Sequence, residues 1–259
     1  MRRRGLTISE LMVAMAIFSL LGIIGFELIL MAQKTFLRVS GHEDAELQLK
    51  RASRKLETDL LASNFGNVTV GDVAASLPGG GKDGNAVACL TAAVNGTGDV
   101  ASIPSGSPYW QRNLLYYASV PLGDTCAGGI GPDGYDDRCP HKMLMRKIID
   151  VGTVTNFSFP ATPEVELTDF SPYLTRPLKG DVSAMLGEPG MSRADIVALN
   201  LLSFRLEKQP DPNFPEEVRV TLRCWDFLSK QKIALGSTSL ANHTNTVVFS
   251  FSVFPRNNR

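Results

Sequence analysis

Histidine and cysteine are scarce in this chain, and catalytic signatures are missing. The three histidines, His42, His141 and His243, are scattered, and no two have the spacing of a metal-ligand pair. The four cysteines, Cys89, Cys126, Cys139 and Cys224, are too widely spaced to suggest a zinc site. There is no Gly-x-Ser-x-Gly elbow, no His-Glu-x-x-His, no P-loop and no Rossmann glycine pattern, so no enzyme class announces itself. Net charge is zero, with 26 basic and 26 acidic residues, so no basic surface offers itself to nucleic acid. Proline is absent from Gln33 to Ala62, which leaves that stretch free to be helical.

What the chain does have is a long apolar run near its start. Arg2, Arg3, Arg4 and Gly5 precede it, and from Leu6 to Ala32 the only charges are Glu10 and Glu27. A bilayer-spanning helix needs ~20 apolar residues, and this run supplies them. The arginines sit on one side only, which places Met1 in the cytoplasm and the bulk of the chain outside it. Glu10 does not suit a plain anchor. A carboxylate in a membrane segment costs several kcal/mol unless it is paired or stays wet at the headgroups, so it marks function. Glu27 lies about 26 Å further along at helical rise and reads as the outer end of the span.

The residues Arg4-Gly5-Leu6-Thr7-Ile8-Ser9-Glu10-Leu11-Met12-Val13-Ala14-Met15-Ala16-Ile17-Phe18 resemble the class III signal of type IV pilins and type II secretion pseudopilins. The resemblance implies cleavage by prepilin peptidase after Gly5 and methylation of Leu6 as the new N-terminus. It also implies that Glu10 pairs with the N-terminal amine of a neighbouring subunit. The sequence departs from the family at Leu6, where phenylalanine is most common. The pairing is physically sensible, because opposite charges at the edge of a low-dielectric region attract strongly while isolated ones are expensive.

The helix is expected to continue to about Ala62 on Glu, Gln, Lys, Arg, Leu and Ala. Leu49, Ser53, Leu56 and Leu60 form a stripe at steps of three and four. Gly22, Gly25 and Gly41 are weak points where it can bend, and a left-handed cap is expected at Asn64 to Gly66. Strands are expected at 67–73, 86–94, 113–120, 142–149, 153–159, 195–207 (bending near Leu201), 217–225 and 247–253. The segments 77–85, 123–140 and 161–191 read as loops, the last with a helical turn. The organisation is a leader at 1–5, an assembly helix at 6–33, its amphipathic continuation at 34–64 and a β-rich head at 65–259. The fold class is α+β, a long N-terminal helix packed on an antiparallel sheet.

Four further stretches resemble the J-type minor pseudopilins and the related PilW-type minor pilins, in the same order along the chain. They are Lys55-Leu56-Glu57-Thr58-Asp59-Leu60, Asn113-Leu114-Leu115-Tyr116-Tyr117, Lys142-Met143-Leu144-Met145-Arg146-Lys147 and Ile196 through Phe204. The loops match nothing comparable.

Cys126 and Cys139 bracket a turn-rich loop, and a disulfide there would stabilise by ~3 kcal/mol in an oxidising compartment. Cys89 and Cys224 read either as a second bridge or as separate buried thiols. Asp133, Asp136 and Asp137 read as a solvated acidic turn, with calcium ligation as a weaker reading because the EF-hand spacing and closing glutamate are missing. No other cofactor is expected.

The expected function is that of a minor pilin-like subunit of a type II secretion pseudopilus, without catalysis. Its expected partners are other major and minor subunits, the prepilin peptidase and the inner membrane, with the head periplasmic. The alternatives are a PilW-type minor pilin of a type IV pilus, and a signal-anchored periplasmic binding or enzymatic domain.

Overall fold

The computed structural model describes residues 7–77, 79–92, 101–104, 106–124, 129–130, 134–136, 139, 141–151, 164–225 and 246–255. The apolar run and the amphipathic stretch are one helix, α1 (Ile8–Leu61). Helical structure runs unbroken through Gly22, Gly25 and Gly41. The helix stops at Ala62 in an ordinary right-handed conformation, which corrects the expected left-handed cap. Asn64 is extended and accepts a hydrogen bond from the Gly66 amide at 2.6 Å, capping a short 3-10 turn at Phe65–Asn67. Asn64 thus starts a turn rather than ending the helix.

Seven strands follow, β1 (Thr69–Val73), β2 (Gly84–Thr91), β3 (Arg112–Ser119), β4 (Lys142–Ile149), β5 (Met191–Lys208), β6 (Val218–Trp225) and β7 (Thr246–Val253). Among the described residues they form one sheet, antiparallel throughout, in simple sequence order. The strand expected at 153–159 lies outside the described residues. The expected bend in β5 is present. Asn200 has φ +56° and the pairing with β6 slips between Leu201 and Ser203. The bulge is tied down from two sides. The Leu199 amide donates to Gln48 Oε1 of α1 at 2.7 Å, and the Cys224 thiol donates to the Asn200 carbonyl at 3.1 Å.

The stripe on α1 packs as the periodicity predicts. Ala45, Leu49, Ala52, Leu56 and Leu60 are buried against Val87, Leu114, Tyr116, Leu144, Phe204, Val220 and Leu222 of the sheet. The alternation of β6 is also borne out, with Val218, Val220, Leu222 and Cys224 all on this core.

The other face of the sheet carries a second core that periodicity did not reveal. Ala86, Ala88, Leu115, Tyr117, Met143 and Met145 are covered by Leu167 and Met185 of the segment before β5, with Phe170, Tyr173 and Leu174 packed around them. That segment contains two 3-10 turns, at Ser171–Tyr173 and Ser183–Gly187. It re-enters the sheet at Gly190, where φ is +72° and an added Cβ would lie 2.1 Å from the Asp150 carbonyl oxygen. Only glycine fits such a turn.

This cover is fastened by a buried charge. Lys147 of β4 is fully buried. Its ammonium donates to the Tyr173 carbonyl at 2.7 Å, to Thr175 Oγ1 at 2.9 Å and to both Glu188 carboxylate oxygens at 2.9 and 2.7 Å. Burial pulls the Lys147 ammonium below the ordinary lysine range, and the Glu188 carboxylate pulls it back up. The folded chain therefore holds this proton less tightly than the unfolded chain. That contribution makes stability rise with pH between the folded and unfolded values, both on the alkaline side. The net cost at neutral pH makes the two partners unequal. Removing the carboxylate strands a buried cation, whereas removing the cation leaves a carboxylate that water can reach. We expect Glu188→Gln to cost about 3 kcal/mol and Lys147→Met about 1 kcal/mol or less, measured by chemical denaturation of the full chain in detergent. Equal losses would contradict this assignment.

Candidate functional site

Function can be sought at two ends of α1, its N-terminal turn and its junction with the head.

At the N-terminus, Gly5 and Leu6 lie outside the described residues. The helix starts with a capping box that the sequence signature Thr7-Ile8-Ser9-Glu10 permits and that periodicity alone overlooks. Glu10 Oε2 accepts from the Thr7 amide and the Thr7 hydroxyl, each at 2.9 Å, while the Glu10 amide donates to Thr7 Oγ1 at 3.4 Å. The carboxylate is held exposed at the positive end of the helix dipole. From there to Met31 the large apolar side chains of α1 face outward: Leu11, Met15, Phe18, Ile23, Phe26 and Ile29 are more than half exposed. No membrane-soluble surface of this size is expected on a water-facing helix. The helix is long and apolar enough to cross a membrane.

At the other end, α1 is joined to the sheet by a buried ionic cluster. Asp59 and Arg146 are both almost fully buried, and Arg146 Nε lies 2.6 Å from Asp59 Oδ2. The Tyr116 hydroxyl donates to the same oxygen. Lys55 approaches Oδ1 at 3.8 Å, and Arg146 reaches Asp195 Oδ2 at 3.3 Å. Burial, and then the Asp59 carboxylate, push the Tyr116 phenol well above its ordinary value, so it remains a donor at any physiological pH. Nearby Cys89 is pushed up to about 12, by burial first and Asp59 second. A thiol so placed is inert. Three of the stretches quoted for their resemblance, around Asp59, Tyr116 and Arg146, meet at this cluster. None of these residues stood out in the sequence as a member of a site. An aspartate at the end of an amphipathic stripe, and an arginine inside an otherwise apolar strand, were the available signals.

The remaining predicted residues are spread out. Cys89 and Cys224 are separate buried thiols and not a bridge. They sit on different strands, β2 and β6, within one apolar core. Cys139 is fully buried, and Cys126 lies outside the described residues. So do Asp133 and Asp137. Asp136 is buried, with Oδ1 accepting from the Gly129 amide at 3.2 Å, so it is not part of a solvated turn. Its loop is locked to the 77–85 loop. The Lys82 amide donates to the Gly134 carbonyl at 2.9 Å, and the Asp136 amide donates to the Lys82 carbonyl at 2.7 Å. Gly81 allows this approach, since a Cβ there would lie 2.3 Å from the Gly134 oxygen. Among the described residues no group of three or more His, Cys, Asp or Glu side chains could hold a metal ion.

An exposed apolar helix, capped by Thr7 and Glu10 and carried on a sheet head, is the setting in which one comparison becomes informative. Residues 1–26 match the family model for the prokaryotic N-terminal methylation motif. The match supports a type IV pilin-like protein, membrane-anchored through α1 and processed by a prepilin peptidase. No curated protein and no solved structure matches the chain. The head of this pilin-like chain is thus described by its own physics alone.

The ionic cluster makes a definite prediction. Asp59→Ala leaves the Arg146 guanidinium buried with only the longer contact to Asp195 and should cost about 3 kcal/mol. Adding Arg146→Met should recover at least half of that loss, because the double change removes both charges from an apolar site. Denaturant unfolding of Asp59→Ala, Arg146→Met and the double variant in detergent measures this, and strictly additive losses would contradict it.

Proposed function

We propose that the chain is a minor pilin-like structural subunit of a type II secretion pseudopilus, placed at or near the filament tip to prime assembly. The observation that carries the proposal is the matched motif at 1–26 on a helix whose second half is buried in an antiparallel head. The J-type or PilW-type assignment rests on the ordered stretches that meet at Asp59, Tyr116 and Arg146.

In this reading the prepilin peptidase cuts after Gly5, and Leu6 becomes a methylated N-terminus. The N-terminus faces the cytoplasm, α1 holds the chain in the inner membrane, and the head stands in the periplasm. Glu10 is the assembly carboxylate. Its described hydrogen bonds both fall on Oε2, so Oε1 is the oxygen offered to the amine of a neighbouring subunit. The capping box serves that contact by fixing the carboxylate at the helix end before a partner arrives, which lowers the ordering cost of association. In an oxidising periplasm Cys126 and Cys139 close the loop between β3 and β4. The chain has no catalytic activity; its work is contact with other pilin-like subunits.

Glu10→Ala tests the reading. The variant should accumulate in the membrane with an unchanged thermal midpoint and be lost from filaments, as measured by immunoblotting of sheared filament fractions. Undiminished incorporation would contradict the assembly role. A strain lacking the chain, scored for protein secretion and for surface pili, separates pseudopilus from pilus.

A further inference from the structure

The two edges of the sheet are built differently. The β1 edge is five residues long, contains Gly71 and Asp72, and has Asp72 ion-paired to Lys82 at 2.6 Å. Short length and charge are the usual means of keeping an edge from recruiting another strand. β7 has none of them. Its eight residues, Thr-Val-Val-Phe-Ser-Phe-Ser-Val, include no charge, proline or glycine. Its pairing with β6 runs from Val218–Val253 to Trp225–Thr246 without a bulge. It is the last strand of the sheet among the described residues. Val248 within it and Phe254 just after it are each nearly half exposed, and the strand packs on α1 along its inner face.

In an antiparallel edge strand every second residue turns its N–H and C=O away from the paired neighbour. Such a row can pair with an added extended peptide strand. We propose that the β7 edge, over Val247–Val253, receives a β-strand from a different subunit of the filament, extending the sheet across the subunit boundary. The inference rests on the pilin-like reading above. A second copy of this chain does not suit the site: its β1 edge is short and charged, and its β7 edge would impose the wrong symmetry. A two-fold axis joining two β7 edges antiparallel in one sheet stands perpendicular to that sheet and reverses every direction within it. The two α1 stalks would then run in opposite senses and could not enter one membrane side by side. A strand from a neighbour whose stalk runs parallel to α1 has no such conflict. Because β7 packs on α1, the added strand lies next to the stalk-to-stalk contact.

Hydrogen exchange on the full-length chain tests this, comparing protein alone in detergent with protein in isolated filaments. Within Val247–Val253 the amides that point away from β6 should exchange freely in detergent and slow by at least about tenfold in filaments, while those bonded to β6 are protected in both. Protection of the outward amides already present in detergent would mean that the chain covers its own edge, and unchanged exchange of those amides in filaments would mean that the edge is unused; either overturns the inference. Val248→Lys places a charge on the edge at an exposed position. It should keep the wild-type thermal midpoint and lose filament incorporation by at least about tenfold. Normal incorporation of a folded Val248→Lys overturns the inference while leaving the pilin-like reading intact. Absence of the wild-type chain from filaments removes the reading itself, and a β7-to-β7 cross-linked dimer replaces the partner with a second copy. If the variant does not fold, the exchange comparison on the wild-type chain decides.

Discussion

Strand β4, otherwise apolar, buries three cations at the centre of the sheet, Lys142, Arg146 and Lys147. A cation taken out of water costs several kcal/mol unless carboxylates or carbonyls receive it. Each of the three is received by a different part of the chain. Asp59 of α1 takes Arg146 on one face. Glu188, with the Tyr173 carbonyl and Thr175, takes Lys147 on the other. The carbonyls of Asp136 and Leu202 take Lys142. The stalk helix, the cover over the second core and the loop between β3 and β4 are thus each specified by a charge on one strand. Apolar packing supplies most of the driving force for such layers, but it is permissive about register. A buried charge with one correct partner is not.

This arrangement explains which parts of the fold were legible beforehand. The stripe Leu49, Ser53, Leu56, Leu60 and the alternation of β6 follow directly from periods of 3.6 and 2, and both appear in the structure as read. The bend in β5 was legible near Leu201, although its supports, Gln48 and the Cys224 thiol, were not. β3 alternated without a polar face, and the reason is that both faces are buried. Leu114 and Tyr116 lie on the helix side, and Leu115 and Tyr117 lie under the 164–191 segment. That segment is rich in proline, glycine and aspartate, so no periodicity could mark it as a layer. Its few apolar residues, Glu188, and hydrogen bonds through Glu164, Leu167, Tyr173 and Thr175 connect it to the sheet. The Asn64 cap went astray because Asn serves both as a left-handed C-cap and as an N-cap, and the short 3-10 turn after it settled the choice.

The same division applies to the candidate site. Glu10 was conspicuous because a carboxylate in an apolar run is expensive wherever it occurs. Asp59 and Arg146 were inconspicuous because each is ordinary in its local setting and becomes unusual only when the fold brings two residues 87 positions apart within 2.6 Å. The two sites have different tasks on one helix. The first holds an exposed carboxylate at the start of the helix, and the second locks the end of the helix to the head.

The central claim is that this chain is processed as a pilin-like subunit, and the intact mass of the protein extracted from the native membrane tests it most directly. The account predicts a polypeptide that begins at Leu6 and carries one added methyl group. A chain that still begins at Met1, in cells whose prepilin peptidase is active, would contradict it.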